Sequence, residues 1–187
     1  MSHMNRFKFF KEGIRNIKTV GTVTRSSRFL CDKIIHHSEI EKARFIVELG
    51  AGDGVLTKKI LEKMPANCTL IAFEINDKFI ELLEQIEDDR LIVAGDTAEN
   101  LPFYMEKHGM EQIDIIYSAI PFSVIPDATA REIVQTSKSS MRRDGEYLQI
   151  HYSLIEKKMY SDIFGNVKVY FQPFNIPPAF ILKSIKN

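Results

Sequence analysis

The chain has 187 residues, 44% of them hydrophobic and 27% charged, which suits one globular domain and excludes a disordered or fibrous chain. No apolar run reaches the roughly 18 to 20 residues that span a bilayer, and the N-terminus lacks the apolar centre of a secretory signal, so a cytoplasmic protein is expected. Formal charge is zero but uneven: residues 5–28 carry seven Lys and Arg against only Glu12, which leaves the remainder about as negative as that segment is positive.

Asn5 to Lys18 reads as an amphipathic helix, with Phe7, Phe10, Ile14 and Ile17 on one stripe and Lys8, Lys11, Arg15 and Lys18 beside it. Such a helix can pack on its own domain, lie in an anionic membrane interface or bind another polyanion. After a loop at Thr19–Ser27, a second helix is expected over Ser27–His37, capped by Ser26 or Ser27. His36 and His37 are adjacent, point about 100° apart on a helix and cannot chelate together, so both are expected to be solvated or capping. Cys31 and Cys68 sit in no metal-ligand pattern and are expected as free thiols, and no metal is expected.

From residue 44 onward strands and helices alternate. Strands are expected at Arg44–Leu49, Thr69–Ile75, Leu91–Ala94, Ile113–Ser118, Glu146–Tyr152, Val167–Gln172 and Ala179–Ser184. Helices are expected at Val55–Met64, Asp77–Ile86, Ala98–His108, Ala128–Ser139 and Leu154–Phe164. This alternation argues an α/β, doubly wound, Rossmann-like sheet of seven strands. The last two strands leave no room for a crossover helix and should pair antiparallel. Residues 1–40 are read as an N-terminal helical extension and 41–187 as the main domain.

The chemistry concentrates after the first of these strands. Gly50, Gly52 and Gly54 follow an apolar run and precede a helix, the arrangement in which backbone can approach a nucleotide with no Cβ in the way. Glu74 ends the next apolar run twenty-one residues after Asp53, where an acid suits the two hydroxyls of a ribose, and the third strand ends in Gly95-Asp96. A dinucleotide fingerprint fits less well, because its third glycine falls one residue later, on Val55.

The run Glu48-Leu49-Gly50-Ala51-Gly52-Asp53-Gly54 resembles the E/D-x-G-x-G-x-G motif of class I S-adenosylmethionine (SAM) methyltransferases. The resemblance implies SAM as cofactor, with Glu48, Gly50, Ala51, Gly52, Gly54, Glu74, Ile75, Asp96, Thr97 and Ser118 around it. It also implies that the sheet finishes with an antiparallel strand pair.

Two acceptors come into view at the end of the fourth strand, which is substrate territory in such sheets. Ile120-Pro121-Phe122 resembles the last three positions of the N-L-P-Y motif of ribosomal RNA adenine dimethyltransferases. Ala119 stands where that family has an Asn, and an alanine side chain cannot accept the hydrogen bond of the target amine. No aromatic and basic surface beyond the N-terminus offers to stack a flipped base, so nucleic acid is the less expected partner. The chain also resembles the bacterial phospholipid N-methyltransferases, over nearly its whole length. Val20–Arg28 is similar to their V-G-A-V-x-P-S-S-R, with Arg25 for Pro, and Ser118-Ala119-Ile120-Pro121 to their S-G-L-P. Leu148–Tyr152 is similar to L-Q-F-x-Y, and Asn175–Ala179 to N-x-P-P-A.

That resemblance implies methylation of phosphatidylethanolamine toward phosphatidylcholine by a peripheral enzyme on the inner membrane surface. An enzyme acting on another aminolipid, such as an ornithine lipid, would carry the same motifs. A primary amine near pKa 10 must shed a proton before it attacks, so a base or water path is needed. Tyr152, His151 and Ser118 are the candidates. Side chains alternate along a strand, so His151 and Tyr152 should not both face the cleft; Tyr152 is favoured, with Ser118 beside the methyl. Ser26, Ser27 and Arg28 could hold a lipid phosphate, and Ile120, Pro121 and His151 the headgroup. A plain helix cap at Ser27 and a core histidine at 151 are the competing readings.

Overall fold

The computed structural model describes residues 28–187. The expected helix Asn5–Lys18 and the candidate residues Ser26 and Ser27 lie outside the described residues. The first described helix is α1 (Arg28–His36), followed by β1 (Phe45–Leu49), α2 (Val55–Lys63), β2 (Thr69–Phe73), α3 (Asp77–Leu83) and β3 (Leu91–Ala94). Then come α4 (Leu101–Lys107), β4 (Ile113–Ser118), α5 (Asp127–Ser140), β5 (Met141–His151), α6 (Lys157–Phe164), β6 (Lys168–Gln172) and β7 (Ala179–Ile185).

The seven strands form one sheet in the order β3-β2-β1-β4-β5-β7-β6. The first five positions run parallel, and β7 is antiparallel to both β5 and β6. The order reverses between β1 and β4, so the crevice that receives ligands in such sheets opens above Leu49 and Ser118. The expected antiparallel finish is present: six residues separate β6 from β7, too few for a crossover helix, so the chain turns back.

Strands buried on both faces read as continuous apolar runs, and each face carries its own core. On one face Leu30, Cys31, Ile34 and Ile35 of α1 join Leu56 and Ile60 of α2 over Ile46, Leu70, Tyr117, Leu148 and Ile181. Helix α1 therefore shares the main core. On the other face Leu101 of α4, Ile133 and Val134 of α5, and Tyr160 and Phe164 of α6 cover Val47, Ile71, Ile116 and Tyr147. Each such Leu, Ile or Val stabilises the fold by roughly 1.5–3 kcal/mol on leaving water. Cys31 and Cys68 are buried and free, and burial pushes both thiols up to about 12.

Several features differ from expectation, among them α6, which begins at Lys157 rather than Leu154, and α3, which ends at Leu83 rather than Ile86. Strand β5 begins at Met141 rather than Glu146, because a register shift between Ile113 and Ile115 and a positive φ of 60° at Asp144 let the polar run Arg142–Asp144 enter the ladder as a bulge. The expected helix Ala98–His108 is a 3₁₀ turn, Ala98–Asn100, followed by α4, whose Pro102 fits only the first turn of a helix. His37 is not simply solvated: its ring stacks on Tyr170 at 3.7 Å, and its carbonyl accepts from Lys183 Nζ at 2.7 Å.

Candidate active site

The glycine turn is fixed from below. Gly50 N and Ala51 N both donate to the Phe73 carbonyl, at 2.9 and 3.0 Å, so the end of β1 is bound to the end of β2. Gly50 and Gly52 both take a positive φ at this turn. Gly50 has φ +79°, and a Cβ there would lie 3.3 Å from Ile120 N, so the turn and the β4 loop touch backbone to backbone. Gly52 has φ +56°, and a Cβ there would meet nothing within 4 Å. Its glycine leaves a cradle free for a ligand, while the positive φ resists any side chain.

Glu74 stands at the carboxyl end of β2, as its spacing from the glycine turn predicts, and it is buried. Its Oε2 accepts from Gly52 N at 2.8 Å, and its Oε1 accepts from Ile75 N at 2.9 Å and Asn76 N at 2.8 Å. One carboxylate thus joins the glycine turn to the start of α3 and keeps one lone pair, on Oε2, for a ribose hydroxyl. Ile75 is buried beside it. Asp96 Oδ1 accepts from Thr97 N at 2.7 Å and Asn100 Nδ2 at 2.8 Å, which holds the β3 end beside the same opening.

Glu48 is wholly buried under the turn, where Thr57 Oγ1 donates to it at 2.6 Å. Burial raises its carboxyl to about 8, against the pull of that hydrogen bond. A cation arriving above it would be met by a carboxyl ready to ionise.

On the acceptor side, Ala119 N donates to the Leu49 carbonyl at 2.9 Å, and the Ile120 carbonyl accepts from Gln149 Nε2 at 3.0 Å. Gln149 is fully buried and also accepts from Tyr147 Oη at 3.2 Å. Ser118 is fully buried too, its hydroxyl bonded to Tyr147 and accepting from Ile120 N at 3.4 Å. Ile120 is buried and Pro121 exposed at the mouth. In the sequence Gln149 stands out only as the Q of the L-Q-F-x-Y resemblance and as a polar amide inside an apolar strand.

His151 and Tyr152 part company, as alternation requires. His151 is 5% exposed, with Nε2 2.9 Å from Tyr160 Oη and Nδ1 3.6 Å from Glu156 Oε2, and its ring tilts against Phe122. Tyr152 is 43% exposed. Arg28 is exposed at the start of α1. The described residues thus gather Glu48, the glycine turn, Glu74, Asp96, Ser118 and the Ile120-Pro121 turn along the carboxyl edge. His151 lies beneath that turn, packed on α6.

The His151 environment has a measurable consequence. Burial lowers its pKa from 6.5 to about 4, against the opposite pull of Glu156. A depressed histidine contributes stability that is present above pH 6.5 and lost as pH falls toward 4, up to about 3 kcal/mol. Glu48 works in the opposite sense, because its raised pKa favours the fold below 4.5 and loses that contribution as pH climbs to about 8. The comparison of wild type with His151→Gln isolates the histidine. Urea unfolding at pH 7 and pH 4.5 should show the wild type losing more stability than the variant by about 2–3 kcal/mol. Parallel losses would mean the ring is hydrated.

Among known proteins, the family model for ribosomal RNA adenine dimethylase matches residues 24–139. An ornithine lipid N-methyltransferase of Singulisphaera acidiphila is 30% identical over 176 residues, covering 92% of this chain and 89% of that one. A ribosomal RNA small subunit methyltransferase A of Clostridium acetobutylicum is 32% identical over 99 residues, 52% of this chain and 32% of that protein. Among solved structures, an O-methyltransferase from Bacillus cereus in complex with SAH superposes with a TM-score of 0.71 at 14% identity, covering 95% of this chain and 90% of that one, a likeness of fold.

SAM is the cofactor these likenesses carry, and the residues present fit it. The cradle at Gly52, the carboxylate of Glu74 at its rim and the ionisable Glu48 beneath suit an adenosine with a cationic tail. The chain belongs to the ribosomal RNA adenine dimethylase family and is a class I SAM-dependent methyltransferase.

Proposed function

We propose that this methyltransferase acts on the amine of an aminolipid headgroup, either the ethanolamine of phosphatidylethanolamine or the ornithine amine of an ornithine lipid. The observation that carries the reading is the extent of the likeness: 92% of the chain matches a lipid N-methyltransferase, while the RNA enzyme matches 52%. Ala119 supports it, since no side-chain carbonyl stands at the β4 turn to hold an adenine amine.

When bound, SAM supplies a methyl group on a sulfonium, so the leaving group needs no further activation. The chain has to hold a neutral amine in line with that methyl and take away its proton. Gln149 and Ser118 fix the Ala119-Ile120 backbone that would orient the amine. With its hydroxyl buried, Ser118 acts through that backbone. Tyr152, half exposed past the end of β5, would accept the amine's hydrogen bond and pass its proton to water. His151 stays neutral and braces Phe122 from below. Glu74 would take a ribose hydroxyl and Asp96, with Thr97, the adenine side. Glu48 would face the amino-acid end, with Gly50, Ala51 and Gly54 shaping the turn. Arg28, with Ser26 and Ser27, would meet the lipid phosphate where there is one.

A second reading, methylation of an RNA adenine, is favoured by the family model itself. A partition assay separates the two. Protein is given methyl-labelled SAM with phosphatidylethanolamine vesicles, ornithine lipid vesicles or undermethylated small-subunit RNA. Label is expected in the chloroform phase of one lipid arm. Label in the RNA alone would overturn the lipid reading.

A further inference from the structure

The carboxyl edge carries an exposed apolar rim that packing within the fold does not explain. Ile155 is 83% exposed, Phe174 80% and Ile176 86%; Phe29, Val124 and Leu154 are each about two-fifths exposed. Apolar side chains scattered singly over a surface need no explanation, but these share one edge. The register shows it. His151 pairs with Phe180 and Phe180 with Phe171, so the connection after β5 (residues 152–156) and the one between β6 and β7 (173–178) leave the sheet at one level. The turn after β4 leaves at that level too, since Ser118 pairs with Gln149 in parallel. Phe29 meets Phe174 edge to face at 5.9 Å, which brings the start of α1 to the same rim. The rim therefore borders the mouth where the β4 turn meets an acceptor.

Charge says what the rim faces. Residues 5–28, with seven Lys and Arg against Glu12, join the described chain at this edge. Lys33 stands over the Phe29 ring at 5.3 Å, and Lys157 and Lys158 open α6 just after Ile155. Apolar tips set among cations match the boundary of an anionic bilayer, where the tips enter the acyl region and the cations meet headgroups.

We infer that the tip of the β6–β7 connection, with Phe174 and Ile176, and the post-β5 loop, with Ile155, insert into an anionic lipid surface and set the β4 turn at headgroup level. This rests on the aminolipid reading for its purpose, while the docking can be measured without it. A lipid acceptor keeps its chains in the bilayer, so the site has to come to the surface.

The test is flotation of full-length protein with vesicles of phosphatidylglycerol and phosphatidylcholine, which contain no expected acceptor. Phe174→Asp/Ile176→Asp and Ile155→Asp are compared with wild type at equal anionic lipid. Each variant is expected to lower the partition coefficient at least tenfold while keeping SAM affinity, measured by calorimetry, within twofold. Variants that float as well as wild type, or a wild type that does not float, overturn the inference. A wild-type dimer broken by Ile155→Asp would also overturn it, since the rim would then cover a second copy. Methyl transfer to a short-chain, water-soluble phosphatidylethanolamine or ornithine lipid separates the two readings. Variants active on it but at least tenfold slower on vesicles support the rim. A wild type inactive on both soluble acceptors sinks the aminolipid reading, and flotation still decides the docking.

Discussion

Glu74→Ala is expected to weaken SAM binding by about ten- to a hundredfold, because a hydrogen bond to a charged group contributes about 1.5–3 kcal/mol and the carboxylate has one lone pair free for a ribose hydroxyl. The loss has a second source. The carboxylate collects the N–H groups of Gly52, Ile75 and Asn76, so its removal also frees the turn that forms the cradle. Glu74→Gln separates the two. Its carbonyl can still accept from Ile75 and Asn76, but its amide would turn a donor toward the Gly52 N–H. The glutamine variant should therefore lose affinity as well, with a smaller drop in unfolding temperature than the alanine variant. Calorimetry with SAM and with its demethylated product measures the first effect, and thermal unfolding without ligand the second. If Glu74→Ala binds SAM within threefold of wild type, Glu74 is only a brace for the turn and the ribose is held elsewhere.

The same residue shows what was legible in the sequence. The position of Glu74 could be read, because apolar strands ended by glycine or acid repeat at regular spacing and the ribose acid follows the glycine turn at a known distance. Its hydrogen bonds could not, since they join backbone groups brought together only when β1 and β2 pair. The sheet was legible for a similar reason: strands buried on both faces need apolar runs, and the short gap before β7 forbids a crossover. Strand β5 was under-read because Arg142, Arg143 and Asp144 look like a loop, and a bulge can carry polar residues into a ladder. Gln149 and the His151–Tyr160 pair were illegible as partners, because a buried polar group is satisfied by whatever packs opposite. The apolar rim was missed because Phe174, Ile176 and Ile155 lie on separate connections, and only the register of β5, β6 and β7 brings them to one edge.

Lys183→Met is expected to destabilise the fold by about 3–5 kcal/mol, the usual loss when one member of a buried ion pair is removed. Lys183 Nζ donates to Glu146 Oε1 and, at 2.7 Å, to the His37 carbonyl; Glu146 Oε2 accepts from Glu39 N at 2.9 Å. Both charged side chains are largely buried, at 15% and 8% exposure. Together they bind the end of α1 to β5 and β7, and Ser38 adds a hydrogen bond to the buried Tyr117 hydroxyl. Methionine leaves the Glu146 carboxylate buried with one backbone N–H for company. Adding Glu146→Gln should restore most of the stability, to within about 1–2 kcal/mol of wild type, because the amide carbonyl still accepts from Glu39 N and no buried charge is left unpaired. Urea unfolding of the two single variants and the double measures this. A Lys183→Met loss below about 1 kcal/mol would mean water reaches the pair. The consequence for catalysis is separate. Helix α1 runs from the rim at Arg28 and Phe29 down to this anchor, so loosening it should raise KM for the acceptor and leave SAM affinity within about twofold. An equal loss in both would mean that α1 steadies the glycine turn as well as the acceptor mouth.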